Sequence, residues 1–170
     1  MGPQGGLLVM WDTKVVEKLE DAVGNFSVSC KFQCVLTRQE WVFIGVYGPQ
    51  TNRDKLLMWE ELAGLYSWWG SLWCIGGDFN VVRFPSERSG GQCLSTAMQG
   101  FSDFIAALGL IDPQLEGGTF TWTNSREVEA RSRIDRFLFS LDWEDHFHSI
   151  IQRRMPRLML DHFPILLESG

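Results

Sequence analysis

The sequence contains no run of the roughly 18 to 20 apolar residues that a membrane-spanning helix needs, so no helical membrane span and no membrane partner are expected. Its opening, Met1-Gly2-Pro3-Gln4-Gly5-Gly6, has no basic region followed by an apolar one, which argues against a signal peptide. Gly6 stands where a myristoylation motif carries Ser or Thr. There is no Cys-x-x-Cys pair. Cys30, Cys34, Cys74 and Cys93 read as reduced, buried cysteines of an intracellular protein, nuclear or cytoplasmic, rather than as a zinc site or disulfides. Positive charge is in deficit as well, with 21 acidic residues against 15 basic and a net charge of -6. The total therefore offers no broad attraction to nucleic acid or membrane, and a phosphodiester would have to be received by a local, metal-bearing patch. With no repeat, linker or low-complexity tract, residues 1–170 read as one domain.

Aromatic residues, by contrast, are abundant. Eight tryptophans and 12 phenylalanines favour a sheet-rich core. Apolar periodicity predicts strands at 6–11, 26–36, 41–47, 72–76, 119–123, 133–139 and 149–153. Helical spacing of Leu56, Trp59, Leu62, Ala63 and Tyr66 predicts a helix over 53–69 with Asn52 as its cap. Met98, Phe101, Phe104, Ile105 and Leu108 predict a second over 96–109, capped by Ser95 or Thr96 and stopped by Gly109. A short helix is expected at 142–147 and an irregular loop at 83–94. Strands outnumber helices, and two helices cross between strands, the pattern of a layered α/β domain.

Gly76-Gly77-Asp78-Phe79-Asn80 is the segment that carries most chemical information. On an extended backbone Asp78 and Asn80 point to one side, and the two glycines leave that side open to a ligand or another backbone. Such a pair can grip a hard cation, a water or a phosphate; it can equally form an Asx turn that caps its own backbone. Asp135 interrupts a run that otherwise reads as buried strand, so its carboxylate needs a partner. Arg133 or Arg136 would make a structural ion pair, whereas His162, in Asp161-His162-Phe163-Pro164, would make an oriented imidazole. Tyr47 ends the 41–47 strand before Gly48-Pro49, as a core aromatic or as a phenol at the same cleft. His146 and His148 read as surface residues.

Val46-Tyr47-Gly48-Pro49, Gly77-Asp78-Phe79-Asn80, Gly118-Thr119-Phe120-Thr121-Trp122, Ser132-Arg133-Ile134-Asp135-Arg136-Phe137-Leu138 and Asp161-His162-Phe163-Pro164 stand in one order along the chain. In that order they resemble the endonuclease/exonuclease/phosphatase family over essentially all 170 residues. Within it they most resemble the endonuclease domain of plant non-LTR (LINE-type) retrotransposons. The resemblance implies a DNase I-like, four-layered α/β sandwich that hydrolyses DNA phosphodiesters with Mg²⁺ or Mn²⁺. By motif, Asp78 would orient or deprotonate the attacking water and Asn80 would hold that water or the phosphate. Tyr47 would contact the phosphate and Asp161 would serve the metal. His162, positioned by Asp135, would stabilise charge on the phosphoryl oxygens. Trp122, Asn124 and Arg133 would lie near the nucleic acid.

The sequence also departs from that pattern. The family's first strand–helix–strand unit, with an Asn and a metal-ligating Glu, has no counterpart here; Gln39-Glu40 leads into a strand instead. Leu160 stands where the family has Ser. The resemblance therefore implies an N-terminally truncated domain with weakened metal binding and little nuclease activity, its sheet edges left open. A non-catalytic remnant that binds nucleic acid or protein is the alternative; a small-substrate phosphatase of the same fold fits the Ser-Arg-Ile-Asp-Arg segment less well.

Overall fold

The computed structural model describes residues 5–70, 72–124, 126–157 and 161–170. Its centre is a six-stranded sheet of β1 (Val16–Val23), β2 (Ser27–Cys34), β3 (Glu40–Tyr47), β4 (Trp73–Asp78), β5 (Leu110–Ile111) and β9 (Asp135–Ser140). Across the sheet they stand in the order β1-β2-β3-β4-β9-β5. Within this sheet β3 and β4 are the parallel pair, and the 18-residue helix α1 (Asn52–Trp69) makes the crossover such a pair needs. A second helix, α2 (Thr96–Ala107), packs beside α1. A three-stranded sheet joins β6 (Leu115–Glu116), β10 (Ile151–Arg154) and β11 (Ile165–Glu168), and a hairpin joins β7 (Trp122–Thr123) to β8 (Arg131–Ser132). The short helix α3 (Leu141–His146) follows β9 directly.

Strand alternation divides the core into two layers. Val42, Ile44 and Val46 of β3, Ile75 of β4 and Leu138 of β9 meet Met58, Leu62, Phe101, Phe104 and Ile105 of the two helices. Trp59 stacks on Phe101 and Phe104 at 5.1 and 4.7 Å between ring centres. On the opposite face Phe43, Cys74, Phe137 and Phe139 pack with Trp143, Ile150 and Leu167, which joins the small sheet to the large one. The result is an α/β sandwich: helices, large sheet, small sheet. No helix among the described residues is long and apolar enough to cross a membrane.

Several expectations are corrected. Residues 6–11 join no ladder; Leu7 and Val9 lie over Gly45 of β3 and Trp11 against Phe32, while Leu8 and Met10 are exposed. The edge strand β1 was not legible, because Glu17, Lys18, Glu20 and Asp21 face solvent and only Val16 is buried. Thr51, not Asn52, caps α1 by accepting from Asp54 N–H at 3.1 Å; its buried residues are Lys55, Met58 and Leu62, and Leu56 is exposed. Ser95 caps α2, which ends at Ala107, with Gly109 left-handed beyond it (φ 61°). Pro85–Glu87 form a 3-10 turn inside the expected loop. The four cysteines are free, but Cys34 is only half-buried and Cys93 is exposed. His146 and His148 are on the surface, as expected.

Candidate active-site cleft

The ladder places three of the candidate residues in one row. Tyr47 of β3 is the direct partner of Asp78 of β4, and Asp78 is the direct partner of Asp135 of β9. Direct partners share a face, so all three side chains stand on the small-sheet side at one end of the large sheet. Two carboxylates side by side repel. Burial first, and Asp135's charge second, push the Asp78 carboxyl up to about 6, against the pull of the Asn80 N–H, His162 and Lys55.

Beyond Asp78 the chain turns instead of continuing as strand. Asn80 is left-handed (φ 54°), its N–H donates to Asp78 Oδ1 at 2.7 Å, and its Nδ2 donates to the Gly48 carbonyl at 3.2 Å. The Asx turn and the cleft are thus the same structure: the turn is what brings Asn80 beside Asp78. Of the two occupants expected beside the glycines, a ligand or another backbone, the structure shows the backbone at Gly77. A Cβ on Gly77 (φ 139°) would sit 2.2 Å from the Val46 carbonyl oxygen, and one on Gly76 would enter the Phe137 ring at 2.4 Å. The open side is filled by the protein's own β3 and β9, not left for a ligand.

Asp135 takes the histidine. His162 Nδ1 lies 2.9 Å from Asp135 Oδ2, which holds the proton on Nδ1 and leaves Nε2 for the cleft. That hydrogen bond raises the His162 pKa, burial opposing it and the charges of Asp135, Asp78 and Asp161 adding to it. The bland alternative does not form: Arg136 is fully buried between Glu87 (2.6 Å) and Asp112 (2.7 Å) on the other face of β9. The Trp122–His162 bridge and the Thr123 N–H to Asp161 carbonyl bond (3.0 Å) hang the 161–163 segment on the hairpin.

Around these groups lies a cleft of about 550 Å³ whose walls include Tyr47, Asp78, Asn80, Trp122 and His162. Of the residues expected at nucleic acid, Trp122 alone reaches it. Asn124 closes its own hairpin, accepting from Ala130 N–H at 2.9 Å, and Arg133 turns away to Asp112 and the Pro113 carbonyl. Asp161 is exposed and does not line the cleft, and Leu160 falls outside the described residues. Lys55 and Arg88 also line the cleft and were missed. Lys55 is 7% exposed, and burial lowers its pKa although Asp78 raises it; its ammonium donates to the Gln50 carbonyl at 2.8 Å. Its signal was present: a lysine on the same i, i+3, i+7 stripe as Met58 and Leu62.

The residues present fit a divalent cation. Asp78, Asp135 and His162 each offer a ligand atom within 4.8 Å of the others. Asp161, the residue expected at the metal, is not part of this trio.

No protein-family model matches the sequence, and neither does any curated protein. Solved structures do. The endonuclease domain of TRAS1, a telomere-specific non-LTR retrotransposon, superposes with a TM-score of 0.74 at 15% identity, over 91% of this chain and 68% of that one. An endonuclease/exonuclease/phosphatase family protein from Bacteroides thetaiotaomicron gives 0.58 at 18% identity, over 92% and 66%. A mannosyl-6-phosphatase from the same bacterium gives 0.59 at 18% identity, over 94% and 69%. The chain thus spans about two thirds of the length of each. The fold is the DNase I-like fold of endonuclease/exonuclease/phosphatase proteins.

Proposed function

We propose that this chain is a metal-dependent phosphodiesterase, the endonuclease domain of a retrotransposon-type protein of the endonuclease/exonuclease/phosphatase family, acting on DNA. The observation that carries the reading is the Asp78–Asp135–His162 constellation, in which one carboxylate is bonded to the imidazole and the other is not. With its carboxyl near pH 6, Asp78 suits a general base that takes the proton of the attacking water. Asn80, fixed by Gly48, orients that water or a phosphoryl oxygen. Protonated His162, held by Asp135, faces the charge that grows on the phosphoryl oxygens, and Tyr47 contacts the phosphate from the next strand. Asp78 would hold Mg²⁺ or Mn²⁺, which when bound would neutralise phosphate charge; Asp161, exposed and outside the Asp78–Asp135–His162 trio, would serve the cation through one of its waters.

The chain by itself is expected to be slow. Mg²⁺ favours several hard oxygen ligands, and of the two carboxylates in the trio Asp135 is already engaged by His162. Nicking of supercoiled plasmid in Mg²⁺ or Mn²⁺ tests both points: weak nicking, abolished by Asp78→Ala, is expected. Nicking indifferent to Asp78→Ala would place the chemistry elsewhere, and rapid turnover would overturn the impairment. The same sparse donor set favours one second reading, DNA binding without cleavage, seen as a salt-sensitive gel shift and no nicked product.

A further inference from the structure

The segments that wall the cleft also wall a second pocket. Ser132 and Ile134 line the cleft, whereas Arg133 between them lines the second pocket. Val82 and Arg88 likewise bound the cleft, and Arg83, Ser86 and Glu87 between them turn to the other. This pocket, of about 410 Å³, shares no lining residue with the cleft. Its floor is an ion-pair network around Glu87 and Asp112. Arg136 takes the short bonds to both carboxylates, at 2.6 and 2.7 Å. Arg83 and Arg133 are left 3.2 to 3.5 Å from the same groups. Three guanidiniums thus share two carboxylates, and one positive charge is in excess. Burial first, and the charge of Arg136 second, lower the Arg133 pKa against the pull of Asp112 and Glu87. The Nε atoms of Arg133 and Arg136 are buried without a partner, which marks the same surplus of donors. The side chain of Arg83 is 25% exposed and that of Asp112 6%, so the excess charge looks outward.

Around the pocket, several donors meet no acceptor among the described residues. They are the hydroxyls of Ser86 and Thr119, the Gln114 amide, Arg83 Nη2, and Arg133 Nη1, which has only the 3.5 Å ion pair to Glu87. Unanswered donors beside surplus positive charge match an oxyanion. A phosphodiester would bring one charge and two unesterified oxygens, and a carboxylate no more. A phosphomonoester brings three such oxygens and about 1.5 to 2 charges, closer to what the donors can hold. We propose that this pocket binds a dianionic phosphate group, that of a small phosphomonoester or of free phosphate, at a site separate from the cleft. Occupation neutralises the excess charge and ties Arg83 and Ser86 to Gln114 and Thr119 across the pocket. The site stands on the arginine network and does not depend on the reading of the cleft.

The test is isothermal titration calorimetry of the full chain in chelator at pH 7.5 and constant ionic strength. Inorganic phosphate, phenyl phosphate and dimethyl phosphate are the probes. One saturable site is expected for the two dianions, with dimethyl phosphate at least about tenfold weaker. Tighter binding of phenyl phosphate assigns the site to an ester, and equal binding assigns it to free phosphate. Ser86→Ala with Thr119→Val alters only exposed side chains and should weaken binding about tenfold. Arg83→Gln should weaken it at least as much. Lys55→Met, in the cleft, should leave the affinity unchanged. Phenyl phosphate should also bind less well at pH 5, because the monoester regains a proton at about pH 6. Absence of saturable binding of either dianion would overturn the site. So would affinity lost in Lys55→Met yet kept in both pocket variants, with circular dichroism confirming that they fold. Dimethyl phosphate binding as tightly as phenyl phosphate would overturn it as well.

Discussion

Asp78 and Asp135 are direct cross-strand partners in the antiparallel β4–β9 pair, and they face the same side of the sheet. Opposed like charges are destabilising in a sheet, and here each carboxylate has its own relief. Asp135 is bonded to His162, and Asp78 accepts the Asn80 N–H while its pKa rises to about 6. The arrangement costs stability in order to place negative charge where a cation or a water can use it.

That cost is measurable. The folded pKa of Asp78, about 6, lies above its ordinary 3.8, so its contribution to stability is fully present below pH 3.8 and is lost as pH rises through about 6. The loss is about 3 kcal/mol at most. In chelator at pH 8, Asp78→Asn is expected to be more stable than the natural chain by an amount of that order, and at pH 4 the difference should vanish. Urea melts at the two pH values read it directly. Mn²⁺ should raise the melting temperature of the natural chain and leave that of Asp78→Asn nearly unmoved.

Any phosphodiester hydrolysis should follow a bell-shaped pH profile. The rising limb, as Asp78 ionises, is expected at or below about pH 6, since bound metal lowers it. The falling limb lies above the ordinary histidine value, because the Asp135 hydrogen bond raises His162. His162→Ala and Asp135→Asn are each expected to cost about 100-fold in kcat or more, and the double variant little beyond the worse single. Additive losses would mean that the two do not act as a unit.

Lys55 is expected to serve the phosphate. It is buried in the cleft wall with its ammonium bonded to one carbonyl. Lys55→Met should keep the melting temperature within a few degrees and lower kcat/KM about tenfold, mostly through KM. A collapse of the fold with unchanged kinetics in the surviving fraction would assign Lys55 to structure alone.

Arg136 marks the opposite case, a buried charge with a structural role. It is 0% exposed, bridges Glu87 and Asp112, and lies over the Phe101 ring at 5.1 Å. Arg136→Met leaves two buried carboxylates with less compensation and is expected to cost about 3 to 5 kcal/mol by chemical denaturation.

What could be read from one dimension was whatever depends on local period and on side-chain chemistry. Continuous or alternating apolar runs located β2, β3, β4 and β9, and helical spacing with a cap located α1 and α2. Asp135 announced itself as a carboxylate inside an apolar strand, and the turn at Asp78-Phe79-Asn80 was legible as one of two readings. The family resemblance already gave His162, over an arginine, as the partner of Asp135; the physical reason lies in β9, where residues 135 and 136 alternate, sending Asp135 to the cleft and Arg136 to the helices' side.

The sequence by itself offered Asp78, Asn80, Asp135, His162 and Tyr47 and the layered α/β class, since those follow from composition, period and residue chemistry, while Asp161, Trp122, Asn124 and Arg133 came from the family resemblance. Tertiary structure alone decided the rest. Strand register aligned Tyr47, Asp78 and Asp135 in one row. Pairing partners made an edge strand of the polar segment Val16–Val23 and denied one to the apolar residues 6–11, because a ladder needs a neighbour and an apolar run can be buried by face packing instead. Helix rotation turned Lys55 into the cleft, and alternation along 132–134 set Arg133 apart from Ser132 and Ile134. Each of these is a contact between residues far apart in the chain, fixed by which surfaces exclude water from one another, and no local period encodes it.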